Sequence, residues 1–223
     1  TAGNPFNWAA PAIGDIDGDH QPEIVVNTLN GVVWAWNVDG SEVRDGDGDP
    51  ATNGVLYIRP GATWEWSRSG PTLVDLDDDG AREIVFGTKN DASGQKRLMA
   101  LRHDGAFPPG FPRVVNGSVH SDIACGDLDR DGRPELVFYD NWRYVYAVKH
   151  DGTDYPGYPR LMPYNASGEW VNSPALADLD GDGWLEIIYT PNSTGLSAKL
   201  VVLSTKTSDG TSGGRSKALE SIS

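Results

Sequence analysis

The stretch "DLDRDGRPELVF", residues 127 to 138, decides the fold. It places aspartates at alternate positions, Asp127, Asp129 and Asp131, followed by a glycine and then an apolar run. Carboxylates at this spacing repel one another unless a cation lies between them, so the pattern predicts a loop that binds a hard cation. Gly132 allows the sharp turn because a residue without a Cβ adopts positive φ without strain.

Four copies of this loop occur, at residues 15–23 (loop 1), 75–83 (loop 2), 127–135 (loop 3) and 178–186 (loop 4). Each copy supplies three aspartates, a backbone carbonyl and a final glutamate, which are oxygen ligands that suit Ca²⁺. The predicted ligands are Asp15, Asp17, Asp19, Gln21, Glu23, Asp75, Asp77, Asp79, Ala81, Glu83, Asp127, Asp129, Asp131, Arg133, Glu135, Asp178, Asp180, Asp182, Trp184 and Glu186. The sequence therefore predicts about four calcium ions.

The spacing of the loops indicates a repeated structural unit. Their first residues lie 60, 52 and 51 positions apart, and an apolar pair follows each glutamate. This period suits a four-stranded unit better than a helical hairpin. The chain of 223 residues has 27 glycines and 15 prolines, and no stretch keeps a helical period. We expect an all-β fold.

Charge and hydrophobicity exclude some classes of partner. The net charge of −14 argues against nucleic acid, since phosphates would be repelled. Four divalent ions would reduce this charge to about −6. No apolar run approaches the length of a membrane span, so we expect neither membrane insertion nor a signal peptide. Because the chain begins at Thr1 rather than Met, we expect a processed form or an excised piece of a longer protein.

Period-two alternation follows each loop, as in strands. An alanine lies between large residues in three of these segments (Ala35, Ala100 and Ala147), which predicts sheets packed on both faces. The proline-rich segments 106–115 and 154–162 should form edge strands, because proline cannot donate to a central ladder. We predict four units, at about 6–63, 64–117, 118–169 and 170–206, and a Gly/Ser-rich linker or tail at 207–223.

Two further features have plain interpretations. Unit 1 carries an insertion in which Asp45, Asp47 and Asp49 alternate, but no glutamate follows at the right distance, so we expect a solvated loop. The lone Cys125 cannot form an internal disulfide, and we expect a small residue that faces the core.

The motif D-x-D-x-D-G-x-x-E/D, with Asp-Gly-Thr and Pro-Gly-Phe-Pro further on, resembles the FG-GAP/VCBS repeat family over residues 6–206. The resemblance implies a calcium-binding β-propeller of four-stranded blades, extracellular or at the cell surface, used for adhesion or as an accessory domain. An EF-hand does not fit, because its twelfth position would be an apolar residue inside a strand. His20 replaces the loop glycine in loop 1, and we expect weaker binding there. Four units either close a ring, with "TAGNPF" as the missing edge strand, or belong to a longer propeller.

No nucleophile elbow, zinc-protease motif or phosphate loop is present, which favours a non-catalytic module. His103 and His150 precede Asp-Gly turns, so we interpret them as turn residues. Two alternatives stay open. One is the propeller domain of a secreted polysaccharide lyase or hydrolase. The other is a structural subunit of a surface assembly, which would include self-assembly.

Aromatic residues lie one strand before the loops, at the opposite end of the predicted sheets. We expect a ligand-binding face there for a carbohydrate or an extracellular protein, because indole rings offer flat apolar platforms. The candidate residues are Trp8, Trp66, His120, Trp142 and Trp170. The competing interpretation is that the tryptophans only fill strand ends.

Overall fold

A computed structural model describes residues 10–58, 69–89, 94–162, 173–190 and 200–206, and the backbone of 216–217. The described residues form sixteen β-strands and contain no helix. The predicted all-β class is confirmed. No helix among them has the length and hydrophobicity to cross a membrane.

The strands form four antiparallel sheets of four strands, each in chain order. Sheet 1 contains β1 (Ala12–Gly14), β2 (Glu23–Asn27), β3 (Val32–Trp36) and β4 (Val55–Ile58). Sheet 2 contains β5 (Thr72–Val74), β6 (Glu83–Gly87), β7 (Lys96–Leu101) and β8 (Arg113–Val115). Sheet 3 contains β9 (Ala124–Gly126), β10 (Glu135–Tyr139), β11 (Tyr144–Val148) and β12 (Arg160–Leu161). Sheet 4 contains β13 (Ala175–Ala177), β14 (Glu186–Tyr189), β15 (Val201–Ser204) and β16 (Ser216–Lys217).

The four sheets share one construction. The acidic loop joins the first and second strands, so its aspartates lie at one end of the sheet. An Asp-Gly turn follows the third strand in sheets 1 to 3, and its glycines, Gly40, Gly105 and Gly152, have φ of 84°, 76° and 80°. The proline-rich segments lead into β8 and β12, which are edge strands, as predicted.

Consecutive sheets pack face to face through three apolar clusters. One cluster joins sheets 1 and 2, a second joins sheets 2 and 3, and a third joins sheets 3 and 4. In the first two clusters the earlier sheet contributes an alanine and valines, and the later sheet contributes larger residues. Val25 and Ala35 of sheet 1, for example, pack in one cluster with Phe86 of sheet 2. Ala35, Ala100 and Ala147 are all buried, so the predicted packing on both faces is confirmed for sheets 2 and 3.

The two outer faces of this stack are apolar and partly open. On sheet 1, Ile13 and Ile24 are 66% and 37% exposed, although residues equivalent to Ile24 are buried in the other sheets. Those residues are Ile84, Leu136 and Ile187. On sheet 4, Leu179 is 55% exposed, whereas its equivalents Ile16, Leu76 and Leu128 are buried. The described residues do not show a ring closed between sheets 1 and 4.

Two predictions are wrong in detail. Strand β16 lies inside 207–223, where the composition predicted a linker or tail, and its residues pair with Val202 and Leu203. Edge pairing uses backbone groups, so a polar segment can still form it. Cys125 is exposed rather than in the core, because β9 is itself an edge strand of sheet 3. The N-terminal segment "TAGNPF" lies outside the described residues.

Candidate metal centres

The first aspartate of each loop organises the backbone around it. Asp15 Oδ1 accepts a hydrogen bond from the Gly18 N–H (2.7 Å) and Oδ2 accepts one from the His20 N–H (2.9 Å). Asp75 and Asp178 accept the corresponding two bonds within their own loops, and Asp127 accepts bonds from the Asp131 and Gly132 N–H groups. In each loop the backbone therefore folds around the first aspartate, which brings the other carboxylates close to it.

Two positions of each loop lie in the left-handed region. The sixth position, which the sequence identified, is His20, Gly80, Gly132 or Gly183, with φ of 68°, 91°, 89° and 85°. The fourth position also has positive φ in all four loops, at Gly18, Asp78, Arg130 and Gly181. This second turn was not predictable from the repeats, because only two of the four residues at this position are glycine.

The glutamate closes each loop from inside the sheet. Its Oε2 accepts a hydrogen bond from the backbone N–H of the loop's second residue, at 2.9, 2.8, 2.7 and 2.9 Å in loops 1 to 4. All four glutamates, Glu23, Glu83, Glu135 and Glu186, are buried. Burial, with a smaller contribution from the neighbouring Asp77 and Asp129 carboxylates, raises the pKa of Glu83 and of Glu135 to about 7.

The loops bring carboxylate oxygens within 4.8 Å of one another, as a shared cation requires. The groups are Asp15, Asp17 and Asp19; Asp75, Asp77 and Glu83; Asp127, Asp129 and Glu135; and Asp178, Asp180 and Glu186. Asp77 Oδ1, Asp129 Oδ1 and Glu135 Oε1 are buried and accept no hydrogen bond. A hard cation would satisfy these oxygens, so the donor set fits Ca²⁺.

The residues predicted to supply carbonyl ligands lie beside the third aspartate. The N–H groups of Gln21, Ala81, Arg133 and Trp184 donate to that aspartate at 2.7, 2.9, 2.9 and 2.9 Å. Their role as carbonyl ligands stays a prediction. In loop 1, an open cavity of about 270 Å³ is lined by Asp17, Asp19 and Glu23 together with Asn37, Val38 and Asp39 of the turn after β3.

Basic residues contact three of the loops, which the sequence reasoning missed. Arg102 pairs with Asp77, Lys149 pairs with Asp129, and Lys206 Nζ lies 2.9 Å from Asp182 Oδ2. Arg102 and Lys149 each follow the third strand of their sheet, so an alignment of the repeats on the Asp-Gly turn would have located both. His150, interpreted as a turn residue, lies in such a turn and also close to Asp131 and Glu135.

The insertion in unit 1 reproduces part of the loop geometry. Asp45 Oδ1 accepts from the Gly48 N–H (2.6 Å), and Asp49 Oδ1 accepts from the Ala51 N–H (3.0 Å). It contains no buried glutamate, and it is not among the acidic groups within 4.8 Å in the described part of the chain.

The predicted ligand-face residues are only partly covered by the structure. Trp8, Trp66 and Trp170 lie outside the described residues. His120 is buried, and Trp142 is 55% exposed in the turn between β10 and β11. Loop 3 lies at the other end of β10, so Trp142 is on the side of sheet 3 opposite the acidic loop. Lys96 Nζ lies 4.8 Å from the centre of the Trp142 ring.

Comparisons with known proteins agree with the repeat pattern. Residues 75–138, from the start of loop 2 to the middle of β10, match the FG-GAP-like repeat model, which confirms the predicted resemblance. A search of curated proteins finds no match.

The solved structures that are similar to the chain include PilY1 and Bap1. One is the C-terminal domain of PilY1 from Pseudomonas aeruginosa, with a TM-score of 0.60, 14% identity, and coverage of 91% of this chain and 50% of that one. The other is the V. cholerae biofilm matrix protein Bap1, with a TM-score of 0.47, 20% identity, and coverage of 90% and 35%. The chain therefore spans half the length of the PilY1 structure and about a third of the Bap1 structure. The similarity to PilY1 is a similarity of fold.

Proposed function

We propose that the chain is a calcium-stabilised, non-catalytic β-propeller module that acts outside the cell in adhesion and binds a carbohydrate or an extracellular protein. The observation that carries this proposal is the recurrence, at the same corner of four sheets, of gathered carboxylates, which in loops 2 to 4 include the buried glutamate. The FG-GAP-like match supports it, because that resemblance implies an extracellular calcium-binding module.

The propeller arrangement rests on how the sheets stack. Each sheet packs one apolar face against the preceding sheet, and the first strands approach one another in sheets 1 and 2 and in sheets 3 and 4. The open face of sheet 1 carries large side chains, namely Ile24, Trp34 and Trp36. The open face of sheet 4 carries a set of smaller side chains, namely Ala175, Ile188 and Val202. Packing of sheet 1 against sheet 4 in the same way would cover both open faces.

Calcium binding is tested by thermal unfolding with and without chelator. With free Ca²⁺ at 100 times its dissociation constant, each site would add about 2.7 kcal/mol to the free energy of unfolding. We expect a sharply lower melting temperature in excess chelator and poor rescue by Mg²⁺, which prefers a smaller octahedral shell. Asp129→Ala should remove one equivalent of bound calcium. An unchanged melt in chelator would refute calcium stabilisation.

The ligand face is the end of the sheets opposite the loops, where Trp142 is exposed. Stacking of sugar C–H faces on indole rings favours a carbohydrate or an extended protein segment over a small metabolite, which needs a closed pocket. The acidic balance disfavours sulfated or uronic polymers unless calcium bridges them.

A glycan-array screen of the calcium-loaded chain, followed by variants, tests this face. Trp142→Ala, and the double substitution Trp66→Ala and Trp170→Ala, should abolish binding and leave the chelator-sensitive melt intact. If the double variant unfolds, Trp66 and Trp170 are core residues, and if Trp142→Ala also binds normally, the face has no support.

A further inference from the structure

The turn after the third strand lies beside the acidic loop in sheets 1 to 3. In sheets 1 to 3 this turn begins at Asn37, Arg102 and Lys149, whose N–H groups donate to Ser41, Ala106 and Thr153 carbonyls at 2.9, 2.9 and 2.8 Å. The same bond in three sheets shows that the three residues are structurally equivalent. Two of them are cations and the third is a neutral amide.

The two cations enter the ligand sets of their loops. Arg102 bonds to Asp77, and its Nε lies 3.7 Å from Glu83 Oε1. Lys149 bonds to Asp129, the equivalent of Asp77, and its Nζ lies 3.7 Å from Asp131 Oδ2. A fixed positive charge among these oxygens repels a divalent ion and occupies oxygens that the ion would bind.

Loop 4 also has a cation paired with one of its carboxylates, but this cation comes from a different position in the repeat. Lys206, two residues after β15, places its Nζ 2.9 Å from Asp182 Oδ2. The hydrogen bond from Lys206 is the main reason that the pKa of Asp182 is lowered.

Loop 1 differs. Among the described residues, the basic side chain within ion-pair distance of its carboxylates is His20, whose Nδ1 lies 3.6 Å from Asp15 Oδ2 and whose side chain is 95% exposed. Asn37 replaces the cation, and Asp39 adds a carboxylate to the cavity wall. In the described part of the chain, therefore, no lysine or arginine lies within ion-pair distance of the loop 1 carboxylates to offset their negative charge.

We propose that the four loops are two classes of calcium site: loop 1 is the strong site, and Arg102, Lys149 and Lys206 are built-in counter-cations that weaken calcium binding in loops 2, 3 and 4. This inference rests on the calcium binding proposed above and opposes the expectation that His20 makes loop 1 the weaker site. The counter-cations would also neutralise part of the repulsion in those loops when calcium is scarce.

Calorimetric titration of the calcium-stripped full chain with CaCl₂ tests the inference. The unmodified chain should show one tight equivalent and three weaker ones, and Asp17→Asn should remove the tight one. Lys149→Gln should tighten one weak equivalent by about tenfold or more, because a unit charge next to the ion is removed. Asn37→Lys should weaken the tight equivalent by a similar factor. Lys89→Gln, which removes a lysine beyond the far end of β6, is the matched control and should change neither class.

The outcomes separate this inference from the proposed function. Four equal equivalents, with unchanged affinity in Lys149→Gln, would overturn the two classes and leave calcium binding intact. A tight equivalent that survives Asp17→Asn would also overturn the assignment to loop 1. No calcium heat and no chelator effect on the melt would overturn calcium binding itself. If Asn37→Lys does not fold, Arg102→Gln gives the second measurement, with tightening expected as for Lys149→Gln.

Discussion

His20 occupies a backbone conformation that the other three loops give to glycine. Its φ is 68°, a region that costs an L-residue about 1–2 kcal/mol, while glycine loses about 0.5–1 kcal/mol of chain entropy instead. We expect His20→Gly to raise the free energy of unfolding in chelator by about 0.5–1 kcal/mol, measured by urea denaturation.

Gly132→Ala is the reverse control for this change. A Cβ at Gly132 would meet no atom within 4 Å, so its effect reports backbone conformation alone, and we expect a loss of about 1 kcal/mol. If His20→Gly destabilises the chain instead, the contact between the imidazole and Asp15 outweighs the backbone strain.

Asp140 is a fully buried carboxylate that organises the turn between β10 and β11. It accepts hydrogen bonds from the N–H groups of Gly117, Trp142 and Tyr144 and from the Tyr146 hydroxyl, at 2.8 to 3.0 Å. Burial raises its pKa, and these bonds oppose that rise. The sequence did not single it out, because sheets 1 and 2 use Thr28 and Thr88 at this position.

Asp140→Asn should lower the free energy of unfolding by about 2–3 kcal/mol, because an amide N–H₂ cannot accept the bonds that one carboxylate oxygen accepts. Chemical denaturation measures this loss. Tyr146→Phe removes one of the four donors and should cost about 1 kcal/mol. Equal losses in the two variants would mean that the tyrosine bond alone carries the network.

The third strands carry an alanine where two sheets approach closely. Ala147 is fully buried in the cluster between sheets 3 and 4, with Tyr139 and Ile187 in the same cluster. We expect Ala147→Leu to lower the free energy of unfolding by about 1–3 kcal/mol through overpacking. Ala51→Leu, at an exposed position of the insertion in unit 1, is the control and should change it by less than about 0.5 kcal/mol. A tolerated Ala147→Leu would indicate loose packing between the sheets.

The elements were predictable from sequence where side-chain chemistry fixes them. The ligand spacing located the loops, alternation located the strands beside them, and proline placed β8 and β12 at sheet edges. Strand β16 was missed because its pairing uses the backbone of a polar segment. Arg102 and Lys149 were missed because their carboxylate partners lie 25 and 20 residues earlier and meet them only after the second and third strands pair.

The acidic loops are structurally linked to the stack of sheets. Each contact between sheets is a narrow apolar layer, and the loops gather much of the negative charge at one end of the sheets. The buried glutamates link the two regions, because each bonds to a loop residue from a position inside its sheet. Calcium binding at the loops would therefore act directly on strand pairing.

Electrostatic repulsion among the negative charges acts across the whole molecule. The chain has a net charge of −14, which destabilises a compact state when no bound cation offsets it. Salt screens such repulsion, with a Debye length of about 10 Å at 0.1 M and about 3 Å at 1 M. In chelator, the melting temperature should therefore rise as KCl is increased from about 20 mM to about 500 mM.

The calcium-loaded chain is the comparison for this titration. Four bound ions would bring its net charge to about −6, so its melting temperature should respond less to the same salt. Choline chloride should reproduce the KCl effect, since screening does not depend on which cation is present, whereas K⁺ binding in the loops would not be reproduced by choline. Parallel salt responses with and without calcium would show that loop repulsion is not what calcium relieves, and stabilisation would then have to come from the ion's direct bonds to the loop oxygens.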